Sequence, residues 1–217
     1  TCGERLLDDR DNQSYATVQI GSQCWMAENL KYNINNCSSV LYSTTDVGWC
    51  GCYNDEENNC DTYGRLYQWS AAMGGITTPG TQGACPNDWH IPTFEEWDEL
   101  ENYVNSVSQY QCEGIDRNIT KALSLSYGWL STSTSCAIGN NQQLNNTTGF
   151  SVFPSGNRNT AGNYGWLNNY AYFWSSTINV SKTNMSYSRY FRYYLAIVEH
   201  YSTAMGYAFT IRCLKDN

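Results

Sequence analysis

The sequence predicts an α+β fold braced by disulfides, and three observations carry that prediction. Ten cysteines, an even number, run from Cys2 to Cys213 in an acidic chain of 217 residues. That is the pattern of a disulfide framework made in an oxidising compartment, not of a reduced cytosolic protein. Apolar residues recur at helical spacing over 63–73 and 93–107, and shorter segments near both ends alternate as strands do.

Residues 15–31 read as a β-hairpin, with Val18 and Ile20 on one face, a turn at Gly21-Ser22, and Cys24-Trp25-Met26 returning. Residues 32–62, rich in Asn, Ser, Gly and Cys, read as loop. Over 63–73, Leu66, Trp69, Ala72 and Met73 fall on one helical face, and Gly74-Gly75 stops the helix. The strongest helix signal follows Pro92. Thr93 and Glu96 make a capping box, and Phe94, Trp97, Leu100, Val104 and Val107 form an apolar stripe. Glu95, Asp98, Glu99 and Glu101 supply the solvated face, near the positive end of the helix dipole. Residues 108–170 read as irregular, the kind of long loop that cysteines tie down. Residues 171–177 and 207–214 read as strands, the second with Tyr207, Phe209, Ile211 and Cys213 on one face. Residues 186–201 read as one strand, or as two with a turn near Leu195-Ala196. No repeat or linker divides the chain. The expectation is one domain over 1–217, with 1–14 as a possible N-terminal extension or assembly segment.

A net charge of −8 with 12 Lys and Arg provides no basic patch for phosphates, which argues against a nucleic-acid partner. No run is apolar enough for membrane insertion. No signal peptide is visible from Thr1, so the chain reads as processed or excised. Tyr and Trp are abundant, at 18 and 8 against 6 Phe. Both concentrate at contact surfaces; here the Trp are expected mostly in the core and the C-terminal Tyr mostly on the surface. N-x-S/T sequons at Asn12, Asn36, Asn118, Asn145, Asn146, Asn179 and Asn184 are candidate glycosylation sites in a eukaryotic secreted protein and carry no such meaning in a bacterium.

Site chemistry is sparse. Cys50, Cys52 and Cys60 lack the C-x-x-C spacing of zinc sites and have no His nearby, so disulfides are the expected state. Asp55, Glu56, Glu57 and Asp61 offer oxygen ligands for calcium, but a solvated acidic loop is the favoured reading and no cofactor is expected. The two histidines, His90 and His200, have no assignable nucleophile and orienting group, so no triad is proposed. The separation of a glycosidase-type carboxylate pair is not legible in sequence. The sharpest binding hypothesis is the Tyr-rich segment 187–205. With Phe191 and Val198 pointing to the core, alternation turns Tyr190, Arg192 and Tyr194 outward, and Tyr187, Tyr193, Glu199, His200 and Tyr201 join them as candidates. Tyr and Arg give a large contact area at low entropic cost, and Tyr and Trp rings also stack on sugars.

Six segments in order, YATVQIGSQCWMAENL, YGRLYQWSAAM, ACPNDWHIPTFEEWDEL, GFSVFPSGNRNTAG, YFWSST and FTIRCLKD, resemble the Fibrobacter succinogenes major paralogous domain of bacterial exported proteins, over nearly the whole chain. The resemblance implies a C-type-lectin-like fold, with two helices around a small twisted antiparallel sheet and long disulfide-tied loops. It also implies an extracellular or cell-surface location. It brings Cys85 to Cys213. Sequence proximity suggests Cys2–Cys24, Cys37–Cys50, Cys52–Cys60 and Cys112–Cys136, while other connectivities remain open. The fold is also similar to that of formylglycine-generating enzymes, but their chemistry uses a cysteine pair toward the C-terminal end, where this chain has only Cys213. In some relatives of the fold, retroelements diversify the C-terminal segment to vary ligand specificity. The expected function is therefore non-catalytic recognition or adhesion, with a glycan or protein as partner bound through the Tyr-rich face. The alternatives are a homo-oligomeric subunit of a pilus-like filament or surface fibre and, less favoured, an enzyme related to the formylglycine-generating enzymes.

Overall fold

A computed structural model describes residues 1–35, 37–38 and 45–216. β1 (Leu6–Asp8) pairs with β2 (Gln13–Tyr15), and β3 (Thr17–Ile20) turns into β4 (Gln23–Met26) as the expected hairpin. Gly21 turns it at φ +60, and a Cβ there would lie 2.9 Å from the Tyr103 ring, so the position favours glycine on two counts.

β5 (Cys50–Gly51), α1 (Glu57–Tyr63), β6 (Leu66–Gln68) and α2 (Trp69–Met73) follow. The structure corrects both expectations here: the loop 32–62 contains β5 and all of α1 but Tyr63, and the helix over 63–73 is interrupted. Gly64, at φ +83, ends α1 where a Cβ would lie 2.5 Å from Asn29 Cβ. Leu66, Tyr67 and Gln68 are all buried. An amphipathic helix buries one face only, whereas a central strand buries both, so sheet pairing overrides the helical pattern. Helix resumes at Trp69, and Gly74 ends it in the left-handed conformation.

β7 (Trp89–His90) leads to α3 (Phe94–Ser106). Thr93 Oγ1 accepts from the Glu96 N–H at 3.2 Å, and the Glu96 carboxylate accepts from the Thr93 N–H at 2.8 Å, which completes the capping box. Trp97, Leu100 and Val104 are buried as the stripe predicts. Glu101, expected in solvent, is buried too; its partners are described below. The irregular expectation for 108–170 misses α4 (Thr120–Leu123), β8 (Ser155–Arg158) and β9 (Tyr164–Leu167). β10 (Tyr170–Ile178), β11 (Met185–Arg192), β12 (Glu199–Ala204), β13 (Ala208–Phe209) and β14 (Leu214–Lys215) complete the chain. The segment 186–201 is thus two strands with a turn between. The segment 207–214 is two short strands rather than one, although Phe209, Ile211 and Cys213 do enter one core.

Among the described residues the sheets are antiparallel, in the orders β1-β2, β10-β11-β12, β5-β6-β13-β8-β9 and β3-β4-β14-β7. Four α-helices and several sheets replace the simpler two-helix, one-sheet expectation. β14 lies between β4 and β7, so the two chain ends share a sheet. β10 divides the interior. Its Tyr172 and Trp174 enter a core with Tyr67, Trp69, Phe209 and Ile211, and its Ala171 and Phe173 enter another with Trp25, Trp97, Leu100 and Phe150.

Disulfides join Cys2 to Cys24, Cys37 to Cys50, Cys52 to Cys60, Cys85 to Cys213 and Cys112 to Cys136, the pairing given above. Cys50, Cys52 and Cys60 therefore have no thiolate to offer zinc. This disulfide density fits an exported protein, and no helix among the described residues is long and apolar enough to cross a membrane. Of the sequons, Asn36 lies outside the described residues. Asn145 is corrected: it is buried, and its Nδ2 donates to the carbonyls of Leu125 and Ile138, so the folded chain has no room for a glycan there. Asn118, Asn146 and Asn179 are partly buried, and Asn12 and Asn184 are exposed.

Candidate binding surface

The site is built on β10, β11 and β12. Their register sets Tyr170 opposite Arg192, Tyr172 opposite Tyr190, Tyr190 opposite Glu199 and Ser188 opposite Tyr201. Side chains alternate across a sheet, so Tyr170, Tyr172, Tyr190, Arg192, Glu199 and Tyr201 share one face.

The inner part of that face is core. Tyr190 meets Tyr172 edge-on at 4.6 Å and lies 5.7 Å from Phe209, and its hydroxyl is 2.8 Å from Thr203 Oγ1. Burial pushes its pKa up to about 12. The expectation that Tyr190 faces solvent is therefore corrected. Alternation places it on the predicted face, but that face is also packed, because β10 has a core on each side. Tyr190→Ala is expected to destabilise by about 3 kcal/mol through the cavity it leaves, whereas Tyr194→Ala, at the rim, should cost less than about 1 kcal/mol. Urea unfolding of the two variants checks the contrast.

The outer part is an aromatic platform around one cation. Arg192 Nε lies 2.8 Å from Glu199 Oε2, Nη1 donates to the Tyr194 hydroxyl at 3.2 Å, and Nη2 donates to the Tyr201 hydroxyl at 3.4 Å. The guanidinium carbon is 5.3 Å from the Tyr170 ring centre and 5.7 Å from that of Tyr201, within cation–π range. The hydrogen bond from Arg192, then that with Tyr170, holds the Tyr194 hydroxyl below the usual phenol range. Tyr193 packs on Tyr194 at 5.1 Å and lies parallel to Tyr170 at 6.5 Å. Trp166, on β9, covers Tyr170 at 4.7 Å with the rings 21° from parallel.

Trp166 is the functional candidate that the sequence reading missed. It is 55% exposed, whereas the seven other Trp are buried. Its φ is +65, a left-handed conformation that costs a bulky side chain on the order of 1–3 kcal/mol. The available signal was its setting, GNYGWLNNY, where Gly and Asn mark a tight turn.

Two candidates do not join the platform. Tyr187 and His200 lie on the opposite face against Phe94, at 4.8 and 6.0 Å. There His200 Nε2 is 2.8 Å from Glu101 Oε2, while buried Arg189 donates from Nε to Glu101 and from Nη2 to Asp98, each at 2.6 Å. This network explains the burial of Glu101. Asp98, Glu101 and His200 bring three metal-type ligand atoms together, but the Arg189 guanidinium already supplies the cation.

Elsewhere, Asp55 accepts from the Tyr164 hydroxyl at 2.7 Å and Glu57 pairs with Arg65 at 3.4 Å. Among the described residues, Asp55, Glu56 and Asp61 fall in no cluster of metal-type ligands. His90 sits between Asp216 at 2.6 Å and Glu96 at 3.0 Å. Burial alone would lower its pKa, but hydrogen bonds to Glu96 and Asp216 outweigh it and raise the pKa above 6.5. A raised folded pKa stabilises most below the unfolded value, and that contribution is lost as pH rises through the folded value. Urea midpoints are therefore expected to fall between about pH 6 and pH 9 in the wild type, and to fall less in His90→Gln.

The profile of the family described as Fibrobacter succinogenes major domain matches residues 18–215, nearly the whole chain. No curated protein and no solved structure matches.

Proposed function

This chain belongs to the Fibrobacter succinogenes major domain family, and from that premise we propose that it is an extracellular, C-type-lectin-like, non-catalytic module that recognises or adheres to a glycan or protein through the platform of Trp166, Tyr170, Arg192, Tyr193, Tyr194 and Tyr201. The observation that carries this reading is Trp166. An exposed indole is held in a strained backbone conformation, flat on Tyr170. Strain of that kind persists where surrounding structure enforces it, and it clusters at ligand contacts. Trp, Tyr and Arg are also the side chains that dominate binding energy at interfaces, and the Arg192–Glu199 pair fixes the centre of the patch without flexible arms.

The test is an array of glycans and surface proteins probed with wild type and Trp166→Ala, with light scattering on the same samples. The expected result is a ligand held by a monomer and weakened about 30-fold or more in the variant. An array on which no bound ligand is weakened by Trp166→Ala contradicts the proposal. Filaments formed without ligand and abolished by Trp166→Ala would make the platform a subunit contact and the protein a surface-fibre component instead.

A further inference from the structure

A cavity of about 540 Å³ opens between the β3–β4 hairpin, the C-terminal end of α1 and the loops around Tyr127 and Ser151. None of its lining residues belongs to the platform. We propose that this cavity is a second binding site, for a short neutral saccharide.

Its apolar wall is a three-ring cluster. Phe153 is held edge-on between Tyr63 at 5.3 Å and Tyr127 at 5.8 Å. Tyr127 remains 61% exposed, so its ring is available to the C–H face of a pyranose. The cavity volume lies within the range of preformed small-ligand sites, which combine an apolar wall with a few fixed polar groups.

Those polar groups select against an ion. Arg212, Lys31, Glu28 and Asp61 all line the cavity, so the two cations and two carboxylates balance. Arg212 is committed to the floor, since its Nε, Nη1 and Nη2 donate to Asn29 Oδ1 and to the carbonyls of Met26, Phe150 and Ser151. Glu28 is likewise engaged, accepting from the Ala16 N–H at 2.9 Å and pairing with Arg5 at 3.1 Å. Two groups are left to hold a ligand. Lys31 has only a loose contact with Glu28 at 3.8 Å, and the exposed Asp61 side chain makes no hydrogen bond or ion pair among the described residues. One donor and one acceptor beside an exposed ring suit neighbouring hydroxyls of a sugar.

The test is a titration of the intact protein with maltose, lactose and N,N′-diacetylchitobiose, with glucuronate as the acidic comparison. At least one neutral disaccharide is expected to bind, with affinity reduced about tenfold in Tyr127→Ala, reduced also in Asp61→Asn, and unchanged in Trp166→Ala. Tyr127 and Asp61 are exposed, so these variants should keep the wild-type unfolding midpoint, which is measured alongside. Binding of none of the three disaccharides, equal binding by Tyr127→Ala, or preference for glucuronate would overturn the inference. Loss through Trp166→Ala alone would place the sugar on the platform and not in the cavity.

Discussion

Replacing both Cys85 and Cys213 by alanine is expected to destabilise the fold by about 5 kcal/mol, because the bridge closes a very long loop. Its sequence separation is 128, and the chain-entropy contribution grows with the logarithm of loop length. Both sulfurs are fully buried, in the core that holds Phe209 and Ile211. They tie the segment before β7 to the segment before β14, the two strands that carry the meeting of the chain ends. Cys52–Cys60, with a separation of 8, is expected to contribute about 2.5 kcal/mol by the same relation. The ordering of the two losses in urea unfolding is the check, and equal losses would show that loop closure is not what these bridges supply. Total stability for a domain of this kind is about 5–15 kcal/mol, so loss of the long bridge alone brings the fold near its threshold.

Arg212→Ala is expected to cost about 3–5 kcal/mol. Arg212 is completely buried and touches no carboxylate. Burial pulls its pKa down to about 9, against a weaker opposing field from Glu28, which leaves it charged at neutral pH. Its planar fork gathers three main-chain carbonyls and Asn29 Oδ1 at the junction of the β3–β4 hairpin, the 149–151 loop and the last strand. Truncation leaves those acceptors buried and unpaired, with a void behind them. Arg212→Lys should recover little, because an ammonium cannot span the same acceptors. A loss below about 1 kcal/mol for Arg212→Ala in denaturant unfolding would contradict this account.

How far these features were legible depends on the range of the interactions that fix them. The Thr93–Glu96 capping box and the Gly21-Ser22 turn are determined within a few residues, and both read directly from the sequence. The strand at Leu66–Gln68 does not, since its helical periodicity is genuine and only pairing with Cys50-Gly51 on one side and Ala208-Phe209 on the other makes it a strand. Glu101 looked solvated for the same reason, as its partners Arg189 and His200 come from β11 and β12. On the platform, alternation assigned Tyr190 and Arg192 to one face correctly. It gave no indication that Phe209 and Thr203 cover Tyr190 while Arg192 reaches the rim. Trp166 enters from β9, outside the Tyr-rich segment, so no local pattern joined it to Tyr170.

The central claim is that ligand is met at the outer end of this face and nowhere deeper. The most direct measurement follows the indole N–H signals of the eight Trp by NMR while a ligand from the array is added. The account predicts that the Trp166 signal moves, in proportion to occupancy, while those of the seven buried Trp stay in place. A bound ligand that is indifferent to Tyr127→Ala and still leaves the Trp166 signal unmoved would contradict it.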